Sequence, residues 1–230
     1  MDLDLLAFAA HRDDIEITCG GALIRASEKG WKTGACDLSQ GEMGTLGSAS
    51  ERKAESEAAS KVMGLAARIN AELPDSGIFN TREQQIKLVE ILRRWRPKAV
   101  ILPGPEQRHP DHRITPQLVF DACFFAGLEK FEPGLGGAKF RPRKIFWCHT
   151  SFEDRKPGFV LELSPAQMEK KIAAVLAYAT QFPDPEKMTE LLRARARSYG
   201  LMCGAVYGEG YTQRETMQVD DLCAIPGTSI

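Results

Sequence analysis

Short apolar runs that alternate with helix-like stretches constrain the fold of this chain more than any other feature. The runs have the length of buried strands, and several stretches between them space apolar residues as helices do and end near Gly30, Gly64 and Pro97. Such alternation predicts an α/β fold of Rossmann-like form, with a mostly parallel sheet and helices on both faces. The predicted strands cover residues 3–10, 31–38, 66–73, 98–102, 144–149 and 158–163, and the predicted helices cover residues 15–29, 50–63, 81–95, 117–128, 164–179 and 186–197.

Two further segments are less regular. Residues 129–143 are rich in glycine and proline and form a predicted long loop, which we expect to shape the substrate pocket. Residues 206–211 fit either a strand or a turn. With a length of 230 residues, the pattern predicts a single domain over residues 1–230, with a Rossmann-like core over about residues 1–150 and a C-terminal part that completes the site.

The charge balance argues against two classes of partner. Thirty basic and 31 acidic residues leave a net charge of -1, so no overall field favours nucleic acid or an anionic membrane. The chain starts with acidic residues and has no apolar run near the roughly 18 residues of a membrane span, which predicts a cytoplasmic protein. The six cysteines include no Cys-x-x-Cys pair and mostly have apolar neighbours, which predicts reduced, buried thiols.

Polar side chains are concentrated after the first and the fourth predicted strands. His11, Asp13, Asp14 and Glu16 follow the first strand, and the segment Arg108-His109-Pro110-Asp111-His112-Arg113 follows the fourth. In an open α/β sheet, ligands bind outside the carboxyl ends of the strands. If these two strands are central, their loops meet and bring three of the four histidines together with four acids.

Two histidines and one carboxylate are a usual ligand set for catalytic zinc, which keeps an open position. In His11-x-x-Asp14 the spacing lets both side chains reach one ion, which leaves Asp13 free to act as a base on water. In His109-x-x-His112 one imidazole can bind the metal while the other faces the substrate.

Each part of this pattern also has a structural interpretation. Asp13 or Asp14 alone would be typical of a helix cap, and His-Pro-Asp-His alone would be typical of a turn. His149, which ends an apolar strand, is interpreted as structural. The occurrence of both clusters after strands favours a functional site for the set.

At these residues the sequence resembles the PIG-L/LmbE family of zinc-dependent N-deacetylases. Family members carry Ala-His-Pro-Asp-Asp-x-Glu after the first strand and His-Pro-Asp-His about a hundred residues later, and this chain has residues 10–16 and 109–112 at those places. The segments at residues 41–45, 51–55 and 73–75 also resemble the family, and residues 207–211 do so more weakly. The form Arg-His-Pro-Asp-His resembles most closely the bacillithiol-biosynthesis type of bacterial deacetylase, which acts on N-acetylglucosaminyl-malate.

The resemblance implies a role for each matching residue. It implies one Zn²⁺ per chain, held by His11, Asp14 and His112, with Asp13 as the general base. His109 would stabilise the oxyanion or protonate the leaving amine as an imidazolium, with Asp111 as its orienting partner. Arg52 and Arg108 would bind the substrate, which the resemblance implies is a small N-acetylated sugar conjugate. It also implies a homo-oligomer, either a trimer or a hexamer. The late tyrosines, Tyr199 and Tyr207, match only loosely.

One residue departs from the motif, because Arg12 stands where the family has proline. A guanidinium beside the metal would favour a substrate with a carboxylate or phosphate group. Two rival functions stay open at this point. A nucleotide-binding Rossmann module would use Gly20 and Gly21, and a two-metal phosphoesterase would need a second ligand set drawn from Glu16, His109 and Asp111.

Overall fold

One sheet of seven strands organises the chain. The computed structural model describes residues 1–132, 134–149, 156–216, 218–221 and 223. The strands are β1 (Leu5–Ala9), β2 (Thr33–Ser39), β3 (Ala67–Leu73), β4 (Ala99–Pro103), β5 (Lys144–Cys148), β6 (Phe159–Leu163) and β7 (Tyr207–Gln213). Their order is β3-β2-β1-β4-β5-β7-β6, in which β1 to β5 are parallel and β7 is antiparallel to both of its neighbours.

Helices cover both faces of this sheet, which confirms the predicted fold class. In the described residues they are α1 (Asp14–Glu28), α2 (Ala49–Met63), α3 (Arg82–Trp95), α4 (Pro110–Ala126), α5 (Pro165–Leu176) and α6 (Pro185–Leu201). Alternate side chains of β1 point to opposite faces, as the strand geometry requires. Leu6 and Phe8 belong to the core cluster with α3 and α4, whereas Ala7 and Ala9 belong to the cluster with α1.

Helix α4 begins well before its predicted start at residue 117. His109 is the N-cap, with its Nδ1 accepting the N–H of Asp111 at 3.2 Å, and Pro110 occupies the first helical turn, where the missing N–H has no cost. Pro116 lies inside the helix, and a proline normally argues against a helix interior. The His-Pro-Asp-His segment is therefore the start of a helix, which aims its side chains outward from the sheet edge.

The expectation that residues 129–143 shape the substrate pocket is wrong. This segment joins the end of α4 to the start of β5, so it lies at the amino edge of the parallel strands, opposite the predicted site. Phe131 is buried in the core cluster with α3 and α4, and Arg93 of α3 donates to its carbonyl at 3.3 Å. Of the described residues in this loop, none lines the cavities around His11 and His109.

The remaining element predictions agree with the structure to within a few residues. Residues 206–211, which fitted either a strand or a turn, form part of β7. All six cysteines are free, and four of them are buried, as predicted. No helix among the described residues is long and apolar enough to cross a membrane.

Candidate metal centre and active site

The two polar clusters meet, because β1 and β4 are adjacent and parallel. His11 follows β1 and precedes α1, while His109 and His112 lie at the start of α4. The three imidazole rings form a triangle with centroid separations of 5.0, 5.0 and 5.1 Å. The sequence therefore predicted correctly that these segments converge at the carboxyl edge of the sheet.

Three side-chain atoms lie close enough together to bind one metal ion. His11 Nδ1 lies 3.0 Å from His112 Nε2 and 3.5 Å from Asp14 Oδ2, and the latter two atoms are 3.2 Å apart. Ligands bound to tetrahedral zinc at roughly 2.0–2.1 Å would lie about 3.3 Å from one another. The nitrogen and oxygen donors therefore fit such an ion in both spacing and chemistry.

The far side of the His11 ring is held by carboxylates. Its Nε2 lies 3.1 Å from Asp75 Oδ1 and 3.4 Å from Asp111 Oδ2. Because carboxylates only accept, Nε2 must carry the proton, and Nδ1 is then the nitrogen that is free to bind metal. A neutral imidazole has one such nitrogen. His11, Asp75 and Asp111 also lie close enough together to hold an ion, but with Nδ1 facing Asp14 and His112 the two carboxylates are placed to orient the His11 ring through Nε2–H.

Asp75 was missed as a site residue at the sequence level. Its second oxygen accepts the N–H of Met43 at 2.8 Å, and the neighbouring Ser76 N–H binds Asp111 at 2.8 Å. The available signal was the position of Asp75 just past β3, at the same edge of the sheet as the two histidine clusters.

The structure gives Asp111 contacts other than the predicted one, in which its carboxylate would orient His109. Its carboxylate contacts His11, and its contact with His109 is made through the main-chain N–H, which binds His109 Nδ1. That bond leaves the proton on His109 Nε2 in the neutral ring. Burial, helped by His11 and His112, lowers the pKa of His109, and the opposing effect of Asp111 does not reverse this. The structure thus favours a neutral donor at His109 over the predicted imidazolium.

Adjacent carboxylates in the loop have different surroundings. Asp14 lies between His11 and His112, which lower its pKa despite its burial. Burial and the charge of Asp14 raise the pKa of Asp13 to about 6, against the effects of Arg52 and His11. Burial lowers the pKa of His11, but Asp14, Asp75 and Asp13 outweigh burial and raise it to about 9. The site is therefore an acidic pocket that attracts a cation.

The predicted substrate-binding arginines have different environments. Arg52 is buried in the first turn of α2, donates to the Gly41 carbonyl at 2.8 Å, and places its Nη2 3.5 Å from Asp13 Oδ1. It lines a cavity of about 380 Å³ together with Asp13. Arg108 is exposed and lines an adjoining cavity of about 560 Å³, and His109 and His112 border both cavities.

Arg12 does not add a positive charge to the pocket, contrary to the sequence-based expectation. Arg12 is a buried residue, 5% exposed, and its guanidinium donates to the Ala49 carbonyl at 2.7 Å. The metal-site cavity is lined by the neighbouring His11 and Asp13 but not by Arg12.

The positions of other residues argue against both rival functions. Glu16 is fully buried and bonded to Arg68 and Tyr178, so it is not available to a second metal. The N–H of Gly21 lies within α1 and is bound by the Glu209 carboxylate at 2.8 Å, so it cannot hold a phosphate. The looser candidate Tyr199 lines a separate cleft, while Tyr207 packs in the core between α5 and α6.

Comparisons with known proteins agree with the site. The chain is 29% identical over 223 residues to the diacetylchitobiose deacetylase of Thermococcus kodakarensis, a match that covers 90% of this chain and 81% of that protein. A solved conserved protein from Thermus thermophilus is 39% identical, with a TM-score of 0.88 and coverage of 95% of this chain and 98% of that chain. The inhibitor-bound N,N'-diacetylchitobiose deacetylase from Pyrococcus horikoshii is 29% identical, with a TM-score of 0.83 and coverage of 92% and 84%.

A family match covers the part of the chain that carries both histidine clusters. Residues 6–123, about half of the chain, match the PIG-L family, described as GlcNAc-PI de-N-acetylase. All the residues proposed as ligands, His11, Asp14 and His112, fall inside that range. The chain therefore belongs to the PIG-L family of deacetylases.

Proposed function

We propose that this protein is a zinc-dependent hydrolase that removes the acetyl group from an N-acetylglucosamine-type substrate. The observation that carries the proposal is the close grouping of His11, Asp14 and His112, with the Asp13 carboxylate beside it and not among the ligands. Family membership and the likeness to two diacetylchitobiose deacetylases support this reaction class. We also infer that residues 1–230 act as one deacetylase domain, because β5 to β7 extend the sheet that carries the site.

His11, Asp14 and His112 would hold the zinc ion. When bound, zinc supplies Lewis acidity, which makes water a nucleophile near neutral pH and polarises a carbonyl group. Asp13 accepts the proton of the attacking water, and its ion pair with Arg52 keeps the carboxylate turned into the cavity. The same proton then passes from Asp13 to the amine nitrogen as the C–N bond breaks, which releases a free amine and acetic acid, and the acid loses its remaining proton to solvent to give acetate.

His109 acts on the acetamide oxygen in this proposal. The Asp111 N–H on Nδ1 leaves Nε2–H as a donor at the border of the two cavities. A well-placed donor to an oxyanion contributes roughly 3–4 kcal/mol to the transition state. Asp75 and Asp111 contribute indirectly, because they keep the His11 proton on Nε2.

Two substrate classes remain in competition. The likeness to two diacetylchitobiose deacetylases supports an N-acetylated amino-sugar disaccharide, such as diacetylchitobiose, as the substrate of this chain. The exposed Arg108 favours a conjugate with an anionic group, such as N-acetylglucosaminyl-malate, because its guanidinium lines the cavity that adjoins the site. The charge of the group attached to the sugar is therefore the property that decides between them.

The test is an amine-release assay on the zinc-loaded full chain with diacetylchitobiose, N-acetylglucosaminyl-malate and N-acetylglucosamine. We expect turnover that is lost on chelation and restored by zinc. Replacement of Arg108 by glutamine should lower turnover of the malate conjugate and spare the disaccharide if the anionic class is correct. Zinc-loaded protein that is silent on the whole panel would contradict the proposed function.

Metal analysis separates the ligand and base roles. His112→Ala should lose zinc, whereas Asp13→Asn, which keeps the shape of the side chain, should keep zinc and lose turnover by about 10²–10⁴-fold. A zinc-free Asp13→Asn protein or a zinc-loaded His112→Ala protein would contradict these assignments.

A further inference from the structure

Arg12 connects the metal-binding loop to the first turn of α2. Its Nη1 donates to the carbonyl of Ala49 at 2.7 Å, and Ala49 is the first residue of that helix. Proline, which the family motif has at this position, has no side-chain donor and could not make this bond. The Arg12 side chain therefore links the loop after β1 to the helix that follows β2.

The main chain of Arg12 is held independently of its side chain. Arg68 of β3 donates from Nη2 to the Arg12 carbonyl at 3.1 Å. The Arg68 guanidinium is in turn fixed by two bonds to Asp37, at 2.8 and 2.7 Å, and one to Glu16 at 2.5 Å. The sheet thus fixes the backbone beside the metal ligands, and the Arg12 side chain is left to position α2.

The turn of α2 that Arg12 binds also carries Arg52. The Arg52 N–H binds the Ser48 carbonyl at 3.0 Å, as the first turn of a helix requires, and the Arg52 guanidinium faces Asp13. Residues 12 and 13 therefore contact the same helical turn at two points. The Arg12 bond limits how far this turn can move from the loop.

We propose that Arg12 is a positioning residue that sets the Asp13–Arg52 ion pair by tethering the first turn of α2 to the metal-binding loop. This inference rests on the proposed function, in which Asp13 is the base. A charge-assisted hydrogen bond that is almost fully buried is stronger than a neutral one and is geometrically selective. Loss of the tether should displace Arg52 and the Asp13 carboxylate while His11 and Asp14 stay in place.

The test is a double-mutant cycle with Arg12→Ala, Arg52→Ala and the double variant. Arg12→Ala should keep one zinc per chain and lower kcat by about 10- to 100-fold, since a displacement of about 1 Å in a site can cost about 10²-fold. Because Arg12 acts through Arg52, the double variant should lose no more activity than Arg52→Ala alone. Arg12→Lys, which keeps the charge, should recover part of kcat. It also takes the place of Arg12→Ala in the cycle if the alanine variant does not fold.

Arg93→Ala is the matched control, because Arg93 is also buried and donates to main-chain carbonyls, but far from the site. It should lower stability without changing kcat or KM below its melting temperature. Additive losses in the cycle, or loss of zinc from Arg12→Ala, would overturn the positioning role. If the wild-type protein deacetylates no substrate, the proposed function fails. The free energies of unfolding of the same three variants and the wild type then decide whether Arg12 and Arg52 are coupled.

Discussion

Glu209 of β7 joins the C-terminal part of the chain to α1, and its replacement by glutamine should destabilise the fold sharply. Its Oε1 accepts the N–H of Gly21 at 2.8 Å and the ammonium of Lys171 at 2.5 Å. Its Oε2 accepts the N–H of Ala22 at 2.9 Å and the hydroxyl of Tyr211 at 2.7 Å. All four acceptor positions of the carboxylate are in use.

The local shape of α1 explains why a carboxylate is needed there. Cys19 departs from helical geometry, so the helix restarts after it with main-chain N–H groups that lack partners within the helix. Glu209 binds two of these groups, as an N-cap does, and its negative charge suits the positive end of the helix dipole. A glutamine side chain has only one acceptor oxygen. Its NH₂ group, which donates, would face donors that the second carboxylate oxygen now accepts.

The magnitude follows from the buried ion pair. Lys171 and Glu209 are each only 4% exposed, so Glu209→Gln leaves an ammonium group buried without its counter-charge. Breaking such a pair from one side costs about 3–5 kcal/mol. For a chain of 230 residues this corresponds to a fall in Tm of about 6–10 °C.

Thermal and urea unfolding of the zinc-saturated protein measure this loss. The double variant Glu209→Gln/Lys171→Met removes both charges and should recover most of the stability, because the unpaired ammonium is gone. Glu169→Gln is the matched control, since its bond to Arg193 is similar in length, 2.8 Å, but lies at the surface, and it should cost less than about 1 kcal/mol. The reasoning is refuted if Glu209→Gln costs no more than the control, or if the double variant is less stable than the single one.

Three further predictions concern the metal ligand, the thiols and the assembly. Asp75→Asn should weaken zinc binding about 10–100-fold in chelator competition, because it removes the carboxylate that orients His11, and unchanged affinity would contradict that role. In native protein, the exposed Cys223 should react fastest with a thiol reagent and Cys203 more slowly, while the buried cysteines should react only on unfolding. Burial raises the thiol pKa of Cys36, for example, which keeps that thiol in its unreactive form. Fast labelling of Cys36 in native protein would contradict the prediction. Light scattering should give the mass of a trimer or a hexamer, and a monomer at all concentrations would remove that inference.

Local patterns were sufficient to predict the sheet and the meeting of the two clusters. Alternation of strands and helices defines a parallel sheet, and a parallel sheet places all loops that follow its strands at one edge. His11 and His112 are far apart in sequence, yet their ligand atoms lie 3.0 Å apart because β1 and β4 are neighbours.

What could not be predicted depends on side-chain direction. The family resemblance implied Asp111 as the partner of His109, but α4 starts at Pro110, and the Asp111 carboxylate projects toward His11. Arg12 was expected near the metal because it lies between two site residues, yet adjacent side chains in a turn point apart. The start of α4 was obscured by Pro116, which is unfavourable in a helix interior but tolerated here.

The neighbouring acids Asp13 and Asp14 show why motif position alone does not assign a chemical role. Asp14 accepts the N–H of His11 at 2.9 Å and faces two imidazoles, so the fold stabilises its charged form as a ligand. Asp13 faces a single cationic group, the guanidinium of Arg52 at 3.5 Å, and its carboxylate also lines the cavity. Exchanging the surroundings would exchange the roles, because a carboxylate held by two imidazoles is a poor base and one opposite a single guanidinium can still accept a proton. The division of labour between ligand and base therefore comes from what α4 and α2 place opposite each carboxylate.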